Sequence, residues 1–495
     1  LASCDFLEKD PTYTTPENYF KNEADAASWL TGTYAILGQS SFYGNEFLYL
    51  VGGDDLGHYG GANRGPNKSG LICNNANTSD PTVAALWYTL YSGINRANIF
   101  LENIDAVPDI NDDTRKQYKA EARFLRAFYY FTLVECWGDV PFKTTSTEDA
   151  YNLSIPRTDK QTIYDFIIKE MYGSAEDLKS AQELNYLPGR VSKSAAWGML
   201  ARVYMFRAGE PKRDKEVGLA NSTTSAEITE YFKKASYYAQ LVKNEGHSLT
   251  AKYWDFFIDI CSDKYNTALN KDGAKANESI WEVEFAGNRS TDVRAEGRIG
   301  NIIGIQGKDL SSKASITGKG DPGYAYAFIW NTPKLLELYE ANGDIDRCNW
   351  NIAPFTYTQS AGEGTPVDGR EFVKGKRAEV EQQYWDQSFS YGKTDPGSTY
   401  GDRESKNDAN KNRNRAAAKY RREYEADKKS KNDTSINFPL LRYSDILLMI
   451  AEAENEVNHG PNDLAYECIN AVRERAGINK LQANLDEENF RKAIK

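Results

Sequence analysis

Through much of the chain, apolar residues recur at steps of three and four, the spacing of one face of a helix. Val83, Leu86, Trp87, Leu90, Ile94, Ala97 and Leu101 form one such stripe. Asp80 stands where a cap belongs and Pro81 suits a first turn, so a helix is predicted over 81–104. A second helix is predicted over 114–137, stopped by Gly138 with Pro141 beyond it. Thr158-Asp159-Lys160-Gln161 reads as a capping box opening a third, whose apolar face is Ile163, Phe166, Ile167, Met171 and Leu178.

A repeat follows. Trp197, Leu200, Ala201 and Tyr204 fit the first helix of a tetratricopeptide repeat, with alanine in place of the usual glycine. Its partner is expected after an insertion, over 231–242, with Ala235 and Ala239 on one face. Leu447, Ile450 and Ala451, then Ala465, Ile469 and Val472, give a second pair near the end. Stacked helical hairpins are the expectation, with an ordinary helical bundle as the alternative. Between 252 and 435 the period changes. Trp281, Val283 and Phe285 alternate with Glu282 and Glu284, the mark of a short strand. Residues 287–323 are rich in glycine, 356–376 read as a loop, and 402–433 are densely charged. Loops of such length are functional or disordered.

Composition narrows the function. The 495 residues carry a net charge of −11, which argues against a nucleic-acid surface. The apolar run 446–451 is far shorter than the roughly 20 residues a membrane span needs. Six cysteines form no C-x-x-C pair, and Cys136 and Cys468 read as small buried hydrophobes. With three histidines, a zinc site or a histidine-based triad is disfavoured. There is no G-x-S-x-G, and the glycine-lysine segment at 369–376 has the wrong spacing for a P-loop, with Arg377 in place of Ser or Thr. Asp109, Asn111 and Asp113 start like a calcium loop, but Thr114 and Ala120 replace its glycine and glutamate. No enzyme activity, metal or cofactor is expected. Aromatics are the outlier, with 32 tyrosines, 21 phenylalanines and 9 tryptophans. Tyrosine couples an apolar ring to a polar tip, which suits sugar-like or peptide ligands.

The first four residues, Leu1-Ala2-Ser3-Cys4, read as a bacterial lipobox. Lipid on Cys4 would then tether the protein to a membrane. Further segments fall into a known order. They are Cys4 to Glu8; Ala122 to Phe131 with Trp137-Gly138-Asp139-Val140-Pro141; Ile155-Pro156-Arg157; and Gly189-Arg190-Val191-Ser192-Lys193. Tyr339 with Asp346-Arg347 follows, then Phe438 to Asp445 running through Ala451-Glu452-Ala453 to Asn470 and Gly477. On these the chain resembles the SusD/RagB family of outer-membrane nutrient-binding lipoproteins.

The resemblance implies a mainly α, SusD-like fold: tetratricopeptide-like helical hairpins plus long loops and a few short strands. Residues 1–20 would be the lipid-anchored tether and 21–495 a single domain. Its scaffold would span about 81–250 and 436–495, and its variable ligand-binding part about 40–80 and 251–435. The family continues past the last helix with a segment rich in Glu, Arg and Trp, so such a segment is expected beyond Lys495. The implied function is non-catalytic binding of oligosaccharides or polysaccharides on the surface of a Gram-negative bacterium. The glycan would be delivered to a SusC-like TonB-dependent transporter in the outer membrane. A peptide-binding lid of the same transporter type, or a purely structural interaction protein, are the alternatives.

No family motif marks the ligand site, so loop chemistry must. Gly52 through Asn75 and Arg289 through Trp330 combine glycine, aromatic and short polar residues. Tyr59, Tyr324, Tyr326 and Trp330 are the candidate stacking platforms. Asp55, Arg64, Asn74 and Arg289 are the candidate hydrogen-bonding partners, and Trp385 is a lesser candidate.

Overall fold

The computed structural model describes residues 19–51, 53–59, 76–147, 154–286, 297–305, 325–352, 417–425 and 432–495. Among them the chain is mainly helical, with three two-stranded antiparallel pairings. It opens with α1 (Glu23–Tyr34), α2 (Glu46–Val51), β1 (Gly57–Tyr59), α3 (Pro81–Asn103) and α4 (Asp112–Trp137). After β2 (Val140–Pro141) and β3 (Arg157–Thr158) come α5 (Lys160–Asp177), α6 (Lys193–Glu216), α7 (Ser225–Lys243) and α8 (Tyr253–Cys261). Next are β4 (Ser279–Val283), α9 (Ile299–Ile302), β5 (Ile329–Asn331), α10 (Pro333–Ala341) and α11 (Ile345–Asn351). β6 (Phe438–Arg442), α12 (Tyr443–Asn458), α13 (Asp463–Arg475) and α14 (Glu487–Ile494) complete the order.

The long helices form where the apolar period put them. Asp80 caps α3, its Oδ1 accepting from the backbone of Thr82 and Val83 at 2.8 and 3.4 Å. α4 stops at Gly138, whose φ of +69° suits glycine and few other residues. The polar run 111–113 serves the N-terminus of α4: Asn111 caps it by accepting from the Asp113 N–H, and Asp112 and Asp113 in its first turn complement the dipole. α3 and α4 approach closely at Gly93, where a Cβ would lie 2.6 Å from the Tyr129 ring. The third cap sits one residue later than expected. Asp159 accepts from Gln161 and Thr162, while Thr158 is paired with Val140 in the β2–β3 ladder.

Both helical hairpins are present. Ala201 on α6 and Ala235 and Ala239 on α7 are fully buried, and Tyr204 stacks on Tyr238 at 5.8 Å and 7°. The expected insertion is short, because α6 runs on to Glu216 and α7 begins at Ser225. In the second hairpin Ile450, Ala451 and Ala465 are fully buried between α12 and α13. Cys468 is buried there as expected, whereas Cys136, on the last turn of α4, is exposed.

β4 pairs with β6, and here the alternating pattern is only half obeyed. Trp281, Val283 and Phe285 are buried and Glu284 is exposed, but Glu282 is buried too. The ladder is irregular on both sides of Trp281, which breaks the simple alternation. Trp281 sits edge-on to Phe124 and Phe128 of α4, at 5.1 and 4.9 Å. Glu282 accepts from the Ser279 hydroxyl and, at 3.0 Å, from the Asn437 amide.

Burial lifts the Glu282 carboxyl from 4.5 to about 7, against the pull of those two hydrogen bonds. The folded state therefore holds a proton that the unfolded chain releases near its ordinary value. Stability falls as pH rises from about 4.5 through 7, by roughly 3 kcal/mol from this group. Glu282→Gln keeps an acceptor for Asn437 and can donate to Ser279. In thermal melts at pH 5 and pH 8, the variant should lose less stability between the two than the parent. An identical loss in both would contradict this.

Candidate functional site

Two stretches singled out for their loop chemistry meet in space. β1 and β5 form an antiparallel ribbon in which Gly57 faces Asn331, His58 faces Trp330 and Tyr59 faces Ile329. A tight turn delivers β1, with Asp54 Oδ1 accepting from the backbone of Leu56 and Gly57, both at 2.7 Å. The ribbon is extended by Thr332, whose N–H donates to Leu56 O at 2.7 Å and whose hydroxyl donates to Asp55 O at 3.2 Å. Asp55 itself is exposed and pairs with Lys334 at 2.5 Å. The hydrogen bond and charge of that lysine hold its carboxyl below the ordinary value.

The approach to β5 is shaped by α9. Tyr326 and Ala327 N–H groups both donate to Asn301 O, at 2.9 and 3.2 Å, and Phe328 N–H donates to Ile302 O at 2.9 Å. Ala327 is forced to a φ of +53°, a left-handed conformation unfavourable for a residue with a Cβ. The Trp330 indole N–H closes this bend by donating to Ala327 O at 2.9 Å. Tyr326 and Phe328, two residues apart, share one face and stack at 4.8 Å and 13°. Tyr59 meets Phe328 at 5.5 Å, and Tyr49 from α2 meets Tyr59 at 5.7 Å.

The result is a four-ring wall across the ribbon and α2. Burial pushes the Tyr49 phenol well up, Arg298 pulls it down, and Tyr59, Glu46 and Tyr326 push it further. That phenol is neutral, a hydrogen-bonding group and not a base. At the outer edge, Tyr326 OH donates to Asn432 Oδ1 at 3.3 Å. Of this wall, Tyr49, Phe328 and Tyr326 are half-buried and keep part of their surface open, while Tyr59 backs them from within.

Of the expected platforms, Tyr59 and Trp330 are only 7% and 5% exposed. Their rings are spent on packing and do not present open faces, because each belongs to a strand pressed against the body of the protein. Tyr326 is half-buried and lies at the edge of the wall. Tyr49 and Phe328, both half-buried, complete the wall and were not anticipated. The i, i+2 spacing of Tyr326 and Phe328 beside a strand was the available signal; Tyr49 had none. Cys4, Arg64, Asn74, Arg289, Tyr324 and Trp385 lie outside the described residues.

A cleft of about 600 Å³ opens elsewhere, between α1, α4 and the end of β4. Its Arg190 grips Glu121, which is fully buried, at 2.6 Å, and Tyr34 OH donates to the same carboxylate at 2.6 Å. Arg190 is therefore committed to the scaffold, as the surrounding Gly189–Lys193 segment led one to expect.

A family model described as starch-binding, associating with the outer membrane, matches residues 5–205, and the SusD family model matches 277–495. A SusD-like protein of Formosa agariphila is 26% identical over 99% of this chain and 83% of its own length. The crystal structure of a SusD homologue from Bacteroides thetaiotaomicron superposes with a TM-score of 0.74 at 25% identity, over 98% of this chain and 84% of that one. A laminarin-binding SusD-like protein shares the fold, with a TM-score of 0.61 at 20% identity over 93% of this chain and 86% of its own.

Packing and exposure separate the roles of two aromatic residues. Trp330→Ala should cost about 3–5 kcal/mol in chemical denaturation, as expected for a buried tryptophan. Tyr326→Ala should cost about 1 kcal/mol or less. Equal costs would mean that Tyr326 is as structural as Trp330.

Proposed function

The chain belongs to the SusD family, and on that premise we propose that it is a non-catalytic glycan-binding protein of the outer-membrane surface. The observation that carries this reading is the aromatic wall in which Tyr59 backs the half-buried rings of Tyr49, Phe328 and Tyr326, edged by a phenol and an amide. Ring faces stack on the C–H faces of sugars, and hydroxyl and amide groups pair with sugar hydroxyls. Relatives described as starch- and laminarin-binding bind polymers of this kind.

The further steps extend the same reading. Lipid on Cys4 anchors the chain to the outer membrane, and the helical hairpins seat it on a SusC-like TonB-dependent transporter. The loops capture an oligosaccharide and pass it to that barrel. The described residues hold the glycan by stacking and hydrogen bonding, with no bond made or broken.

Affinity gel electrophoresis against purified polysaccharides tests the reading. One glycan should retard the protein without releasing smaller sugars. Tyr326→Ala should weaken that retention about tenfold, the worth of one aromatic contact of roughly 1.4 kcal/mol. Retention unchanged by Tyr326→Ala would move the ligand off the ribbon. Retention by none of the panel, with binding to peptides instead, would overturn the glycan reading.

A further inference from the structure

A second hollow, of about 260 Å³, lies between α3 and the extended chain that follows β2. Its floor is one stripe of α3. Trp87, Tyr88 and Tyr91 come first, then Asn95 and Asn98 further along the same face. Trp87 packs on Tyr91 at 5.0 Å and edge-on to Trp137 at 5.3 Å. Tyr88 beside them is 71% exposed, the most exposed tyrosine among the described residues. α3 needs only one apolar face to pack, so this ring adds nothing to the core.

The opposite wall is pinned residue by residue. Tyr91 OH donates to Pro141 O at 2.6 Å, and Tyr130 OH donates to Lys143 O at 2.7 Å. Asn98 Nδ2 donates to Thr145 O at 2.8 Å, and Thr147 N–H donates to Asn95 Oδ1 at 2.8 Å. The hollow is thus preformed, and closing it on a ligand requires no ordering of its wall. Its remaining polar groups are unspent. The Asn95 amide nitrogen, the Thr145 and Thr147 hydroxyls and the Lys143 ammonium donate to no other described residue.

Charge selects among ligands. In a chain of net charge −11, the described residues of this lining include no aspartate or glutamate, and Lys143 is the one charged residue among them. The volume is below the roughly 300–1,000 Å³ of drug-sized sites, which fits a single sugar ring. We propose that this hollow is a second glycan subsite, selective for an acidic pyranose such as a uronic-acid unit. Tyr88 stacks on the ring, Asn95 and the two threonines meet its hydroxyls, and Lys143 meets the carboxylate. The proposal rests on the glycan reading above but uses none of the residues of the ribbon.

Titration by saturation-transfer NMR with methyl β-D-glucuronide and methyl β-D-glucoside tests it. The glucuronide should bind at least fivefold more tightly. Lys143→Gln should abolish that preference, and Tyr88→Ala, a change at an exposed position, should weaken both glycosides about tenfold. Equal binding of the two glycosides, or a preference that survives Lys143→Gln, would overturn the acidic-sugar assignment. No binding of either, in a protein that a polysaccharide does retard, would remove the subsite and leave the main function standing. A Tyr88-dependent response to the glucuronide, with no polysaccharide retained, would support the subsite and refute the ribbon site.

Discussion

The pairing of β4 with β6 is the joint on which the rest of the molecule hangs. It brings together segments far apart in the chain, and closing so long a loop opposes folding. Burial offsets that cost. Trp281 is wholly enclosed by Phe124 and Phe128, and Leu441 lies so close to Gly198 of α6 that a Cβ there would meet it at 2.4 Å. Two hydrogen bonds extend the contact beyond the ladder. Phe285 N–H donates to Asn437 Oδ1 at 3.0 Å, and Thr434 N–H donates to Gly297 O at 2.7 Å. That places α9, whose Asn301 carbonyl in turn bends the chain at Tyr326 and Ala327. The aromatic wall is thus positioned by the scaffold through a short series of hydrogen bonds.

The parts legible in the sequence are those governed by local period. The helices expected over 81–104 and 114–137, the Asp80 cap, the Gly138 stop and the two helical hairpins follow from local spacing and end residues. What escaped was set by pairing. Thr158 lost its capping role to a strand partner, and Glu282 was drawn inward by a ladder irregularity and by Asn437, the residue before β6. The ribbon shows the limit most clearly. Each of its strands is three residues long, too short for an alternating pattern, and its partner lies on the far side of most of the chain. Loop composition located Tyr59, Tyr326 and Trp330, yet could not say which ring would face outward. Tyr49 sits in a short helix outside both loop stretches, and Phe328, inside the second, was marked only by its i, i+2 spacing from Tyr326.

The two aromatic surfaces differ in how they are held, and this bears on specificity. The ribbon wall is built by tertiary pairing and includes a strained residue, Ala327. The hollow on α3 is built on one helix face and needs only the wall that follows β2. Neither surface requires a catalytic pair. The Tyr49 phenol is held neutral, and the Asp55 carboxyl is ionised and exposed beside Lys334. These are groups that stack and hydrogen-bond, as the proposed binding of a glycan asks.

The central claim is that a glycan docks on the β1–β5 ribbon. Backbone hydrogen exchange, measured with and without a polysaccharide that retards the protein, tests it most directly. The account predicts added protection in the peptides covering 53–59 and 325–331, with the α6–α7 and α12–α13 hairpins unchanged. Protection confined to other segments, with the ribbon exchanging at its free rate, would contradict it.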